Sequence, residues 1–198
     1  SVVRDSDIEG LTRLADAMKE NGAKAILQIH HGGAQAIPRL TPNSDSAGPS
    51  PITMQSFDET EPHEVREITE EEIIETIKAF GEATRRAAEA GFDGVEIHGA
   101  NHYIIHQFVS PYFNKRTDKW GEDPFLFAME IVDAVTKAKE KYAEDDFIIG
   151  YRFSPEEKET PGIRMETTKE LIGKLVEKPI DYLHASLSEV HSKTREGK

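Results

Sequence analysis

A parallel α/β fold is what this sequence predicts, and three observations carry the prediction. Short apolar runs alternate with long amphipathic ones, successive apolar runs lie far apart, and no glycine-rich dinucleotide loop follows any of them. Buried strands alternating with crossover helices give a parallel sheet covered by helices. Four such strands fit either an open doubly wound sheet or part of a (β/α) barrel. His30-His31-Gly32-Gly33 lacks the GxGxxG spacing and does not open a helix, which favours the barrel.

The elements follow in order. Asp5 to Asn21 reads as a helix with Ser6 and Glu9 as a capping box, a stripe of Ile8, Leu11, Leu14, Ala15 and Met18, and Gly22 as its stop. Ala25 to Ile29 reads as a buried strand. Thr69 with Glu72 opens a second helix whose Ile73, Ile77, Phe80, Thr84 and Ala87 share a face, and Gly91 closes it. Gly94 to His98 is the next strand, and Tyr103 to Val109 a short helix stopped by Ser110-Pro111. Asp123-Pro124 supplies an N-cap and first-turn proline for a helix reaching about Tyr142. Phe147 to Phe153 is a strand, Thr167 to Glu177 a helix and Asp181 to Ser186 the fourth strand. The strand starts are separated by 69, 53 and 34 residues, against roughly 30 for a bare strand-helix unit. The excess follows the first two strands, chiefly as a long loop insertion at 30–68, and in parallel α/β folds that end of the sheet carries the active site. The 198 residues are expected to form one domain.

Composition narrows the function. With 37% hydrophobic and 31% charged residues the chain can build a core, and its net charge of −13 argues against nucleic acid and anionic membrane surfaces as partners. No cysteine is present, so disulfides and thiolate chemistry are excluded, as suits a cytoplasmic protein. No apolar run approaches the roughly 18 residues of a membrane span. The chain opens on Ser1 rather than Met, as expected of a processed, tagged or truncated product.

Four features could carry chemistry. Gln28 stands one position before the end of a strand, where an amide is costly to bury unless it meets a ligand or neighbouring backbone. His98, Asn101, His102, Tyr103 and His106 cluster after the second strand. A neutral His and an Asn can donate to one oxygen and stabilise charge there, and a Tyr beside them can deliver a proton. The plainer reading is a capped helix start with satisfied polar groups. Arg152 lies near the end of a buried strand and needs an anionic partner, either a carboxylate or a ligand. His30, His31, His98, His102 and His106 could serve a metal-assisted hydrolase, but no HExxH pattern or suitably spaced carboxylate accompanies them, and no metal is expected. Asn114 to Gly121 reads as a polar surface loop, and Glu156-Glu157-Lys158-Glu159 as a solvated turn.

Taken together, the segments resemble the old yellow enzyme family of flavin-dependent oxidoreductases. Val95 to Pro111 is similar to the family signature around its substrate pair and active-site tyrosine. Arg116 to Gly121 resembles the RTDxYGG segment, Ile26 to His30 the strand with the flavin-binding glutamine, and Tyr151 to Ser154 the strand with the flavin-binding arginine. The resemblance implies FMN as cofactor, NADH or NADPH as reductant and an electrophilic alkene as substrate. It implies that Gln28 meets the pyrimidine edge of the flavin and that Arg152 lies near N1 and O2. His98 and Asn101 would bind the substrate oxygen, and Tyr103 would protonate the α-carbon. It also implies strands 3 to 6 of an incomplete TIM (β/α)8 barrel, without the segments that hold the FMN phosphate. Such a fragment is expected to bind FMN poorly and to self-associate, so a non-catalytic half-barrel is a competing reading. The sequence departs from the family at His102, where Gly is usual, at His31-Gly32-Gly33 in place of an HAGR-like run, at Trp120 for Tyr and at Glu122 for the second Gly.

Overall fold

The computed structural model describes residues 1–41, 43–55, 61–187 and 193–195. A 3₁₀ turn at Asp5–Asp7 leads into helix α1 (Ile8–Lys19). The expected box of Ser6 with Glu9 does not form. The Asp7 carboxylate accepts instead from the backbone N–H of Arg4 at 3.0 Å, because the tighter turn opens the helix two residues earlier. Only Leu11 and Ala15 of the predicted stripe are buried, while Leu14 and Met18 keep 48% and 43% of their surface.

Strand β1 (Ile26–Ile29) follows. The long segment after it is not a plain loop: it folds into a second, small sheet of β2 (Ser46–Gly48), β3 (Ile52–Met54) and β4 (His63–Glu67). β4 lies in the middle, parallel to β2 and antiparallel to β3. Helix α2 (Glu70–Glu89) opens on the predicted capping box, with Thr69 Oγ accepting from Glu72 N–H and Glu72 accepting from Thr69 N–H. Then come β5 (Gly94–Gly99), α3 (Ile104–Val109), the single turn α4 (Lys119–Glu122) and α5 (Leu126–Tyr142). α5 begins later than predicted, with Phe125 rather than Asp123 as its N-cap, and the Asp123 carboxylate instead holds the preceding turn by accepting from Phe125 N–H at 2.9 Å. β6 (Ile148–Phe153), α6 (Met165–Leu175) and β7 (Tyr182–Ala185) complete the described elements, with α6 starting two residues before its predicted position.

Asn114 to Gly121 is more embedded than a surface loop. The Arg116 guanidinium is nearly enclosed and donates to the carbonyls of Pro49 and Ile68, tying the small sheet to α4, and Trp120 is buried.

The main sheet has the order β1-β5-β6-β7, all parallel. The strands therefore follow chain order with no reversal. A doubly wound sheet reverses its order and places helices on both faces. Here one face is apolar: Leu27, Ile29, Val95, Ile97, Ile149, Tyr151, Phe153 and Leu183 join residues of α1, α2, α5 and α6 in a single hydrophobic cluster. The opposite face carries Gln28, Glu96, His98, Arg152, Tyr182 and His184, by the two-residue alternation of a strand. Four parallel strands joined by three helical crossovers, with the packed helices on one side, make the wall of a partial (β/α)8 barrel, and its polar face is the barrel interior. β1 and β7 are its two open edges. Gln28 consequently sits on an edge strand and is exposed, rather than buried as the pattern of β1 predicts. Among the described residues no helix is long and apolar enough to cross a membrane.

Candidate active site

The register of the sheet sets the polar face in rows. Gln28, Glu96, Gly150 and Tyr182 share one row, and His98, Arg152 and His184 the next, toward the C-terminal ends of the strands. Glu96 organises the first row. One carboxylate oxygen accepts from Gln28 Nε2 at 2.5 Å. The other accepts from Tyr182 Oη at 3.1 Å and pairs with His184 Nδ1 at 2.9 Å. Burial pushes the Glu96 carboxyl up, but the bonds from Gln28, His184 and Tyr182 outweigh it and hold the group below the usual carboxylate range. Tyr182 moves the other way, raised by burial and by the Glu96 charge.

Tyr182 and His184 stand on β7, yet they reach Glu96 on β5 across the intervening β6. Gly150 permits this. A Cβ there would lie 2.1 Å from the Tyr182 ring, so only a residue without a side chain lets the ring pass. Gln28 is thus oriented: its N–H₂ is held by Glu96, and its amide oxygen is left as an acceptor.

His98 is buried in the second row, with Tyr103 at 5.1 Å and His30 at 6.0 Å between ring centroids. Tyr103 also packs on His30 at 4.9 Å. Burial, and then the neighbouring Arg152 charge, push the His98 pKa down to about 4. His98 is therefore neutral at pH 7 and offers one N–H and one lone pair. Its Nδ1 is buried without a hydrogen-bond partner.

Asn101 and His102 lie at the tip of the loop after β5, with φ of +59° and +60°. This left-handed conformation is strained for residues with a side chain and tolerated best by Asn. The turn is held by Ser154 Oγ, which accepts from Asn101 N–H at 3.0 Å. Ser186 Oγ donates to Asn101 Oδ1 at 2.7 Å and accepts from Arg152 Nη2 at 3.0 Å. This arrangement leaves the Asn101 amide N–H₂ facing outward as a donor. Arg152 has no carboxylate within 4.0 Å among the described residues, and its Nε is buried and unpartnered. Of the two partners its sequence position allows, no carboxylate is found among the described residues.

The sequence-predicted residues do not all gather in one place. His98, Asn101, Tyr103, Gln28 and Arg152 converge on the interior face and its C-terminal rim. His31 does not join them, since its Nδ1 accepts from Gly33 N–H at 3.1 Å and shapes the turn after β1. His102 and His106 point to a separate pair of acidic residues on the β6–α6 loop. The five histidines are therefore two pairs, His30 with His98 and His102 with His106, and a separate His31. Ser186, Glu96, Tyr182 and His184 escaped the sequence reading. Glu96 carried a signal, because a carboxylate in the middle of an apolar strand must find donors.

Comparison with known proteins gives the lineage. The family model for the NADH:flavin oxidoreductase / NADH oxidase family matches residues 1–198. The chain is 53% identical over 196 residues to the "Probable NADH-dependent flavin oxidoreductase YqiG" of Bacillus subtilis, covering 98% of this chain and 51% of that one. It is 47% identical over 186 residues to the "NADH:acrylate oxidoreductase" of Vibrio harveyi, covering 92% of this chain and 18% of that one. Among solved structures, Old Yellow Enzyme from Pichia sp. AKU4542 superposes with a TM-score of 0.79 at 25% identity, covering 95% of this chain and 53% of that one. The chain thus spans about half the length of the Bacillus relative and less of the Vibrio one.

Proposed function

The chain belongs to the NADH:flavin oxidoreductase / NADH oxidase family, and on that premise we propose that it is the flavin- and substrate-facing part of an FMN-dependent NAD(P)H oxidoreductase that reduces activated C=C bonds. We further propose that residues 1–198 act as one unit of a barrel. The observation that carries the reading is Arg152: a half-buried guanidinium with no carboxylate partner among the described residues and an orphaned buried Nε, on the barrel face beside a neutral His98. A half-buried cation without a counter-charge among the described residues suits an anionic ligand. The reduced flavin carries negative charge at its N1–O2 edge, so the residues present fit the cofactor.

Bound FMN would supply the redox chemistry, accepting hydride from the nicotinamide and passing it to the alkene β-carbon. The chain's own groups do the rest. Gln28, fixed by Glu96, offers its amide oxygen to a ring N–H, and Arg152 balances charge on the pyrimidine edge. His98, kept neutral, and Asn101, turned by Ser186, donate to the carbonyl, nitro or carboxylate oxygen that activates the substrate. Donors set in advance toward developing negative charge lower the barrier without reorganisation. Tyr103, held between His30 and His98, delivers the proton to the α-carbon. The names of the Bacillus and Vibrio relatives favour NADH as reductant and include a carboxylate-activated alkene.

The test is spectroscopic. Enzyme-bound flavin should bleach on anaerobic addition of NADH and recover its absorbance on addition of acrylate or cyclohexenone. Flavin that reoxidises only with oxygen, and with neither alkene, would exclude alkene reduction.

A further inference from the structure

The second histidine group has no part in the site above. We propose that His102, His106, Glu157 and Glu159 bind one divalent transition-metal ion of the size and preference of zinc. Three observations lead there, and the first is geometric. The candidate ligand atoms of His102, His106 and Glu157 all lie within 4.8 Å of one another. His106 Nε2 is 2.7 Å and His102 Nε2 3.5 Å from Glu157 Oε2, and His102 Nε2 is 3.2 Å from Glu159 Oε2. Ligands about 2.0 Å from a tetrahedral zinc are spaced about 3.3 Å apart. These separations bracket that spacing, and the closest pair needs to open by only about 0.6 Å.

The second observation is charge. Glu157 is 4% exposed and accepts from Ser110 Oγ at 2.5 Å and from Ile163 N–H at 2.7 Å through its other oxygen. Those bonds fix the carboxylate and leave Oε2 directed at the imidazoles. Among the described residues no Lys or Arg nitrogen lies within 4.0 Å of the Glu157 carboxylate, and Glu159 has only an exposed Lys158 at 3.9 Å from its Oε1. Arg164, the nearest guanidinium partner of this loop, spends its donors on the backbone carbonyls of Glu157, Ile163 and Glu159 and on Thr160 Oγ. Glu159 Oε2 is buried without a hydrogen-bond partner. Two enclosed carboxylates facing two imidazoles form a dianionic pocket that a divalent ion neutralises.

The third is backbone conformation. His102 holds φ +60°, where glycine would be unstrained and histidine is not. Its ring packs against His106 and Phe113 and points at the two glutamates. A bound ion would staple the β6–α6 loop to the start of α3, beside Tyr103 but outside the flavin face.

Zinc titrated calorimetrically into the chelator-treated 198-residue chain should bind at one ion per chain. Cobalt should give the visible absorption of a tetrahedral nitrogen–oxygen site. His102→Gly deletes a ligand while relaxing the backbone, so its circular dichroism should match wild type while zinc affinity falls at least about 10-fold. Glu159→Gln should weaken binding similarly, and it decides the matter if the glycine variant misfolds. Zinc should raise Tm in wild type and not in either variant. No zinc uptake by wild type, or equal affinity in wild type and Glu159→Gln, would overturn the site.

Discussion

In the proposed site Asn101 is set as a donor by Ser186, which occupies its amide oxygen and is held in turn by Arg152. Ser186→Ala removes that restraint, so the amide can rotate and present its oxygen to the substrate. Loss of one such bond is worth about 1–1.5 kcal/mol, so kcat/KM for the alkene should fall about 10-fold, with reduction by NADH unchanged. An unchanged kcat/KM would show that Asn101 is oriented by something else. His98 makes a pH prediction. Its folded pKa, about 4, lies below the ordinary 6.5, so the unfolded chain binds the extra proton in the window between them. Stability should therefore be complete above about pH 6.5 and decline as pH falls toward 4, by on the order of 3 kcal/mol from this residue. Urea denaturation of wild type and His98→Asn across that window measures it, and the variant should show a shallower loss. Equal slopes would mean that His98 titrates as an exposed imidazole.

Among elements, β6 shows how much one position can decide. Gly150 lets Tyr182 cross to Glu96, so Gly150→Ala should force the Tyr182 ring aside and cost about 1–3 kcal/mol, read from the urea midpoint. A neutral effect would mean that the crossing is dispensable. The same row shows what sequence could and could not convey. The strands and helices of the main sheet announce themselves through apolar periodicity, because each buries one face against the same core. Gln28, His98 and Arg152 stood out as polar groups in apolar strands. Their connection did not, since Glu96, Tyr182 and His184 meet only through the register of three strands. The small sheet of β2, β3 and β4 looks like a loop in sequence because its strands are three to five residues long, too short for alternation to show. Their support comes from distant groups such as Arg116. Glu157 was read as part of a solvated turn, since a run of glutamates in sequence does not reveal that one of them turns inward to Ser110 and His106.

For the whole molecule, the partial barrel leaves two strand edges among the described residues, and apolar side chains such as Leu14 and Met18 on α1 and Val176 after α6 are exposed. Such edges pair with further chain or with another copy. The 198-residue chain alone should associate as its concentration rises in sedimentation equilibrium, more strongly at high salt because its net charge of −13 repels. Leu14→Lys with Met18→Lys should weaken that association, and a monomer at every concentration would show the edges to be self-protected. On the inner face of that barrel, Tyr103 is the residue we propose as the donor of the proton that the flavin cannot supply. In the FMN-loaded protein, rapid mixing resolves the two half-reactions. Tyr103→Phe should slow flavin reoxidation by acrylate or cyclohexenone by about 10²–10⁴-fold and leave flavin reduction by NADH within about twofold of wild type. Equal slowing of both half-reactions, or of neither, would contradict the role assigned to Tyr103.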